Sequence, residues 1–328
     1  MLNAGSIAEV SSQSLCRMLT LLRHAALATA VVAAPVLAAQ PSHQAILARH
    51  FQDRLEQIAK RANGVVGISA IDLSTGQRYG VNDSLVFPQG SAIKIPILVE
   101  LFRRFETGAL KPDERVVLRA ADQVGGSGVS QWFGDGQSAL SLHDLAVLMI
   151  TLSDNTTTNM LIDRLGMPAI NEQMAGFGLA SIKVQRKMIQ PRESARGNEN
   201  IATPRDAAQL MRRIHTCELP MSRERCGELR RILELPKGGA FPASVPSGVR
   251  VAWKPGGVEG VETAWGLFAL PGRPYALTAM VNYSDSPEMS RVVREVADAA
   301  YEYFRRLARS SPYGVRVPLA IADSVRKP

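Results

Sequence analysis

Phe87-Pro88-Gln89-Gly90-Ser91-Ala92-Ile93-Lys94-Ile95-Pro96-Ile97-Leu98 is the stretch around which the chain is organised. A serine precedes a lysine by three residues at the start of an apolar run. Ile95, Leu98, Val99 and Phe102 follow the i, i+3, i+4, i+7 spacing of a buried helix face. Residues three apart share one face, so Ser91 Oγ and Lys94 Nζ are expected to meet. A lysine buried in such a helix is pushed towards its neutral form and can take a proton from the serine. Ser-x-x-Lys also arises by chance in many chains, so its weight depends on partner motifs downstream. Pro96 lacks an amide and fits a helix only near the first turn. That sets Ser91 close to the helix N-terminus, where backbone N–H groups are free.

The chain has 328 residues, enough for a sizeable core in one large or two moderate domains. With 46% hydrophobic and 21% charged residues it reads as globular rather than disordered or fibrous. The net charge of +8 is carried by scattered arginines, such as Arg103, Arg104, Arg212 and Arg213, without interleaved aromatics. A solvated basic surface explains them better than nucleic-acid binding. The five histidines show no H-x-x-x-H spacing, and the cysteines have no metal-ligand spacing, so no metal site is expected.

Residues 1–39 read as an export leader. Arg17 and Arg23 stand at an apolar run that ends in small residues before Gln40. Translation starting at Met18 would give the same leader, and an uncleaved membrane anchor is the alternative. No second run approaches the roughly 18–20 apolar residues of a spanning helix. Cys16 would leave with the leader. Cys217 and Cys226 remain, either as a disulfide permitted in an exported chain or as two separate buried thiols.

Helical spacing predicts helices over about 42–62, from Ser91 to Gly108, over 145–152, 156–165 and 203–215, over about 222–235, and from Ser286 to about Leu307. Strands are expected over 64–72, 77–81, 249–254, 261–270 and 275–283. Ser141 and Asp144 have the spacing of a capping box. The stretch from Gly108 to Gly136, with Gly125-Gly126-Ser127-Gly128, reads as an irregular cleft wall. No helical period follows those glycines, so no nucleotide fingerprint is formed. Ser153-Asp154-Asn155, between two apolar helices, is either an interhelical turn or a set of side chains aimed into a cleft. Residues 181–202 form a long aperiodic loop, and such loops in compact domains are usually functional. The fold class is therefore α+β. An antiparallel sheet from both termini (about 42–90 and 245–308) would make an α/β lobe, a helical lobe (about 91–244) would be inserted between, and the cleft would lie at the junction. Residues 309–328 are expected to form a loose tail.

Ser91-x-x-Lys94, Ser153-Asp154-Asn155 and Lys254-Pro255-Gly256-Gly257 occur in the order and rough spacing of the penicillin-recognising serine enzymes. From about Ile46 to Leu307 the chain resembles class A β-lactamases and their D,D-peptidase-like relatives. The resemblance implies an exported serine hydrolase, without a cofactor and monomeric, acting on a β-lactam or a cell-wall peptide. By position, Ser91 would attack the carbonyl and Lys94 would help to deprotonate it. Ser153 would relay the proton to the leaving nitrogen, and Asn155 would position substrate and Lys94. Lys254 would hold the substrate carboxylate, and the N–H groups of Ser91 and Gly257 would form the oxyanion hole.

Two positions depart from the family. Pro255 stands where the family has a threonine or serine, so one hydroxyl for the substrate carboxylate is gone. Class A enzymes carry a glutamate two residues after the arginine that opens the long loop; here Arg186 is followed by Lys187 and Met188, and a methionine cannot accept a proton. The arginine's partner at the far neck would be Asn200, a neutral substitute. Glu193 and Glu199 are the nearby carboxylates that could act instead. These departures imply slow deacylation, and they keep a peptidase-like enzyme and a non-catalytic sensor of the same fold as alternatives.

Overall fold

The runs at 251–258, 261–268 and 275–282 are apolar almost throughout, as expected of strands covered on both faces. In the computed structural model, which describes residues 42–311 and 313–317, they form the centre and one edge of a five-stranded antiparallel sheet. In chain order, α1 (His43–Arg61) leads to the hairpin β1 (Val65–Asp72) and β2 (Arg78–Val81), then β3 (Phe87–Pro88) and α2 (Lys94–Glu106). The strands β4 (Arg115–Leu118) and β5 (Ser138–Ser141) precede α3 (Leu142–Thr151), α4 (Asn155–Leu165) and α5 (Met167–Gly176). The long loop holds the short α6 (Pro191–Ala195) and β6 (Ile201–Ala202). There follow α7 (Pro204–Thr216), α8 (Arg223–Glu234), α9 (Ala240–Ala243), β7 (Val251–Val258), β8 (Val261–Phe268), β9 (Tyr275–Asn282) and α10 (Ser286–Ala308). The leader, Cys16 and Met18, with residues 318–328 of the tail, lie outside the described residues.

The sheet order is β2-β1-β9-β8-β7, so the first long strand pairs with the last and both ends of the chain build one sheet. On one face α1 and α10 pack Phe51, Leu55, Val292, Val296 and Phe304 against Ile68, Phe268 and Tyr275. On the other, Trp265, Leu267, Ala276 and Met280 join the second core, which runs through α2, α3, α4, α7 and α8. The α+β expectation holds, and the functional stretch lies where the sheet meets the helices.

Local chemistry explains the boundaries. Ser42, Ser141, Asp154, Thr203, Ser222 and Asp285 each cap a helix with a side-chain oxygen. Ser141 and Asp144 form the reciprocal capping box. Three features differ from the sequence expectation. Ser91 lies in a 3-10 turn, Gly90–Ile93, and the α-helix starts only at Lys94, which leaves Pro96 within the first turn. The stretch read as irregular pairs β4 with β5. Helix α5 follows α4 directly, with Gly166 at φ +81° ending one and opening the other. In the tail, Ser310–Ser311 (β10) pairs with Gly314–Val315 (β11) in a small hairpin. Cys217 and Cys226 form a disulfide between the C-cap of α7 and α8.

Candidate active site

Gln89 fixes the turn that carries Ser91. The side chain is fully buried, and its Nε2 donates to Phe87 O (2.8 Å) and Ala202 O (3.2 Å), while its Oε1 accepts from Trp265 Nε1 at 2.9 Å. Its carbonyl accepts from Thr263 Oγ1 at 2.9 Å, and its N–H donates to Asn200 O at 2.8 Å. The turn is thereby tied to the sheet and to the neck of the long loop at once. Gly90, at φ +48°, lets the chain pass β7: a Cβ there would lie 2.6 Å from Gly257 N. Sequence reading missed Gln89, because a single buried amide leaves no periodic trace.

The Ser153-Asp154-Asn155 turn is more than a connection, since Asn155 lines the cleft. Ser153 adopts φ +54°, a left-handed conformation that non-glycine residues keep mainly where surroundings enforce it. Lys94 Nζ supplies part of that enforcement. It donates to Ser153 O (2.7 Å), Ser153 Oγ (3.2 Å) and Asn155 Oδ1 (3.0 Å). Asp154 points away and accepts from the N–H groups of Val129 and Ser130, both at 2.8 Å, and of Thr157 at 2.9 Å. Its carboxylate therefore anchors the glycine-rich wall, and a Cβ at Gly128 would fall 2.2 Å from Asp154 Oδ2. Asn155 Nδ2 donates to Gly125 O at 3.1 Å and completes that wall.

Lys254 reaches the same hydroxyl from the sheet. Its Nζ donates to Ser153 Oγ at 3.0 Å and to Pro255 O at 2.9 Å. Lys94 and Lys254 are 0% and 1% exposed. Burial, only partly offset by Asp154, lowers the Lys94 pKa from its ordinary value to about 7. Burial, then the charges of Lys94 and Lys237, hold Lys254 well below the usual lysine range. A hydroxyl between two amines of depressed basicity is a route for a proton. Ser91 lines the adjoining cleft, of about 370 Å³, together with Gly126, Asn155, Met188 and Gly257. Among the described residues no hydrogen bond joins Ser91 Oγ to Lys94 Nζ. The lysine is turned to Ser153 and Asn155, whose three acceptors surround its Nζ.

The β7–β8 register places the amide of Gly257. Val258 pairs with Val261 around the two-residue turn Glu259-Gly260, so that closing pair carries ladder bonds and alternate pairs do not. Gly257↔Glu262 and Pro255↔Ala264 are then non-bonded pairs, and their backbone nitrogens face the open edge of β7. Pro255 consequently removes no ladder bond, as the strand argument expects.

At the long loop the neck differs from the expectation. Arg186 pairs with Glu199, its Nη2 and Nε lying 2.7 and 3.1 Å from Glu199 Oε2. Asn200 instead accepts the N–H groups of Gln185 (2.8 Å) and Arg186 (3.1 Å) through Oδ1. A buried amide can hold backbone donors without the charge that an ion pair needs. Neither carboxylate suggested as a base is free. Glu199 also accepts from Ser194 Oγ, and Glu193 is held by Arg196 (2.5 Å) and Asn198 (2.7 Å). Met188 is 5% exposed and borders the cleft, with its N–H and C=O both bonded to the Asn159 amide (2.7 and 3.2 Å). Among the described residues no group of three metal-ligating side chains comes together.

Comparison with known proteins agrees with this geometry. A beta-lactamase enzyme family matches residues 50–304. A beta-lactamase of Rhodobacter capsulatus is 24% identical over 205 residues, covering 62% of this chain and 68% of that protein. The structure of PBP-A superposes with a TM-score of 0.73 at 29% identity, over 78% of this chain and 96% of its own. A mutant of PBP-A in acyl-enzyme complex with penicillin-G gives the same score and identity. An ancestral class A beta-lactamase matches with a TM-score of 0.72 at 26% identity, over 77% of this chain and 100% of its own.

Proposed function

The chain belongs to the beta-lactamase enzyme family, and from that premise we propose that it is a serine hydrolase acylated at Ser91 by β-lactams. The observation that carries this reading is the Ser153 hydroxyl, held between Lys94 Nζ at 3.2 Å and Lys254 Nζ at 3.0 Å beside the Ser91 cleft. Ser91 Oγ attacks the lactam carbonyl, and its proton passes to neutral Lys94. The carbonyl oxygen gathers charge between the N–H groups of Ser91 and Gly257, where loss of one donor typically costs about 3 kcal/mol. The C–N bond then breaks. The nitrogen takes a proton from Ser153 Oγ, which is resupplied from the lysine pair. Lys254 Nζ donates a hydrogen bond to the substrate carboxylate without help from a hydroxyl at position 255, a loss of about 1 kcal/mol or somewhat more.

Release of the acyl group is the slow half of the reaction. Water needs a base to attack the ester, and Met188 supplies none, while Glu193 and Glu199 are held in other contacts. Replacing Met188 with Glu is expected to raise β-lactam turnover about a hundredfold, the usual worth of a positioned general base. Unchanged turnover, with Ser91 still acylated, would contradict this assignment of Met188. The apolar Met188 also favours a second reading, a peptidase-like enzyme on cell-wall peptides, and the likeness to PBP-A supports it. Export through the leader at residues 1–39, and action as a monomer, belong to the same proposal.

A further inference from the structure

The proton route sets where the leaving part of a substrate lies. Ser153 Oγ, between Lys94 Nζ and Lys254 Nζ, gives its proton to the departing nitrogen. The substituents of that nitrogen therefore lie against β7 at Lys254 and Pro255, and their charge is met by what lines the strand there.

Little in that wall receives an anion. Pro255 has neither a hydroxyl nor an N–H to turn to the open edge of β7. The only hydroxyl on β8, that of Thr263, is fully buried and donates to Gln89 O at 2.9 Å. Lys254 Nζ already donates to Ser153 Oγ (3.0 Å) and Pro255 O (2.9 Å), and burial, then Lys94 and Lys237, depress its basicity. Among the described residues one arginine lines the Ser91 cleft, Arg186, and it is paired with Glu199 at 2.7 Å.

The space beyond is negative. Pro255 and Gly257 also line a cavity of about 930 Å³ that runs past the β7–β8 turn to the N-terminus of α10. Glu259, Glu262 and Asp285 border it, and among the described residues no lysine or arginine does. Glu262 accepts from Ser290 Oγ at 2.7 Å and Asp285 from Glu288 N–H at 3.1 Å, so neither carboxylate is neutralised by those contacts. Arg291, one turn into α10, is engaged by Glu288 and Glu295 instead. In a chain of net charge +8 this groove is a local excess of negative charge.

We propose that the site prefers substrates whose leaving group carries an uncharged amide where a carboxylate would otherwise lie. This rests on the reading of Ser91 as nucleophile. Lys254 donates to an amide oxygen as readily as to a carboxylate, so that contact survives without the charge. A carboxylate keeps the same contact but meets the acids of the groove. An amide also lets the substrate continue as a longer chain, for which the cavity past Gly257 has room.

The test compares penicillin-G with its carboxamide, in which only the carboxylate is replaced. Both acylate by one step: the bond from Ser91 Oγ to the carbonyl forms, the lactam C–N bond breaks, and the ring nitrogen takes the proton. Rates of Ser91 adduct formation are measured by mass spectrometry, each divided by the rate at which hydroxide opens the same probe, which removes intrinsic reactivity. The carboxamide should acylate the unchanged protein at least as fast as the acid. Pro255→Thr should shift the ratio towards the acid by about tenfold, as one hydrogen bond to a charged group would. A Glu259→Gln/Glu262→Gln double variant should shift it the same way by about threefold, and less at high salt. A faster acid in the unchanged protein, or a ratio unmoved in both variants, would overturn the proposal. No adduct from either probe in any of the three proteins would overturn the Ser91 reading, and the proposal with it.

Discussion

At the scale of single residues, the proposed acylation of Ser91 turns on the protonation of Lys94. Its pKa, lowered to about 7 chiefly by burial, puts the neutral form within reach near neutral pH. Below that pKa Lys94 is charged and cannot accept the serine proton; above it the base is free. The rate of Ser91 adduct formation with a penicillin should therefore rise between pH 6 and 8 and then level off. A rate flat or falling across that range would show that Lys94 is not the base. Ser91, Lys94, Ser153, Asn155 and Lys254 were legible in the sequence because each belongs to a short motif whose spacing the chemistry requires. Gln89 was not, since it acts through hydrogen bonds to residues more than a hundred positions away.

At the scale of elements, long amphipathic helices and apolar strands could be placed within a few residues, because period and caps coincide there. The initiation of α2 was less visible. A 3-10 turn and an α-helix share apolar spacing over four residues, so the step from Gly90–Ile93 to Lys94 left no signal. Helix α5 was hidden by Gly166, which reads as a terminator but also opens the next helix at positive φ. The Arg186 partner was misplaced by one residue, since nothing in the order Glu199-Asn200 says which side chain turns inward. The disulfide, undecided in the sequence, joins α7 to α8 across nine residues. Closing so short a loop is worth about 2–3 kcal/mol in the chain-entropy view. A Cys217→Ser/Cys226→Ser double variant should lose about that much in urea unfolding; an unchanged midpoint would mean that the bridge does not contribute.

At the scale of the whole molecule, the site exists because two cores meet. The sheet made from both ends of the chain brings β7 to its edge, with Gly257 turned to the cleft. The helical region delivers Ser153 and Asn155 from one turn and Lys94 from the buried start of α2. One sheet shared by both ends of the chain was expected from strand-like runs near both termini, but the pairing of β1 with β9 and the rest of the sheet order needed coordinates, since several orders bury the same apolar faces. The proposed account joins a site built for acylation to a loop without a free base. Its most direct test is intact-protein mass spectrometry of the protein mixed with penicillin-G, followed over time beside the absorbance of the lactam. The account predicts an adduct of one penicillin per chain, absent in Ser91→Ala, that outlasts the mixing by many minutes while lactam loss stays slow. Rapid loss of lactam with no lasting adduct, or no adduct and no loss at all, would contradict it.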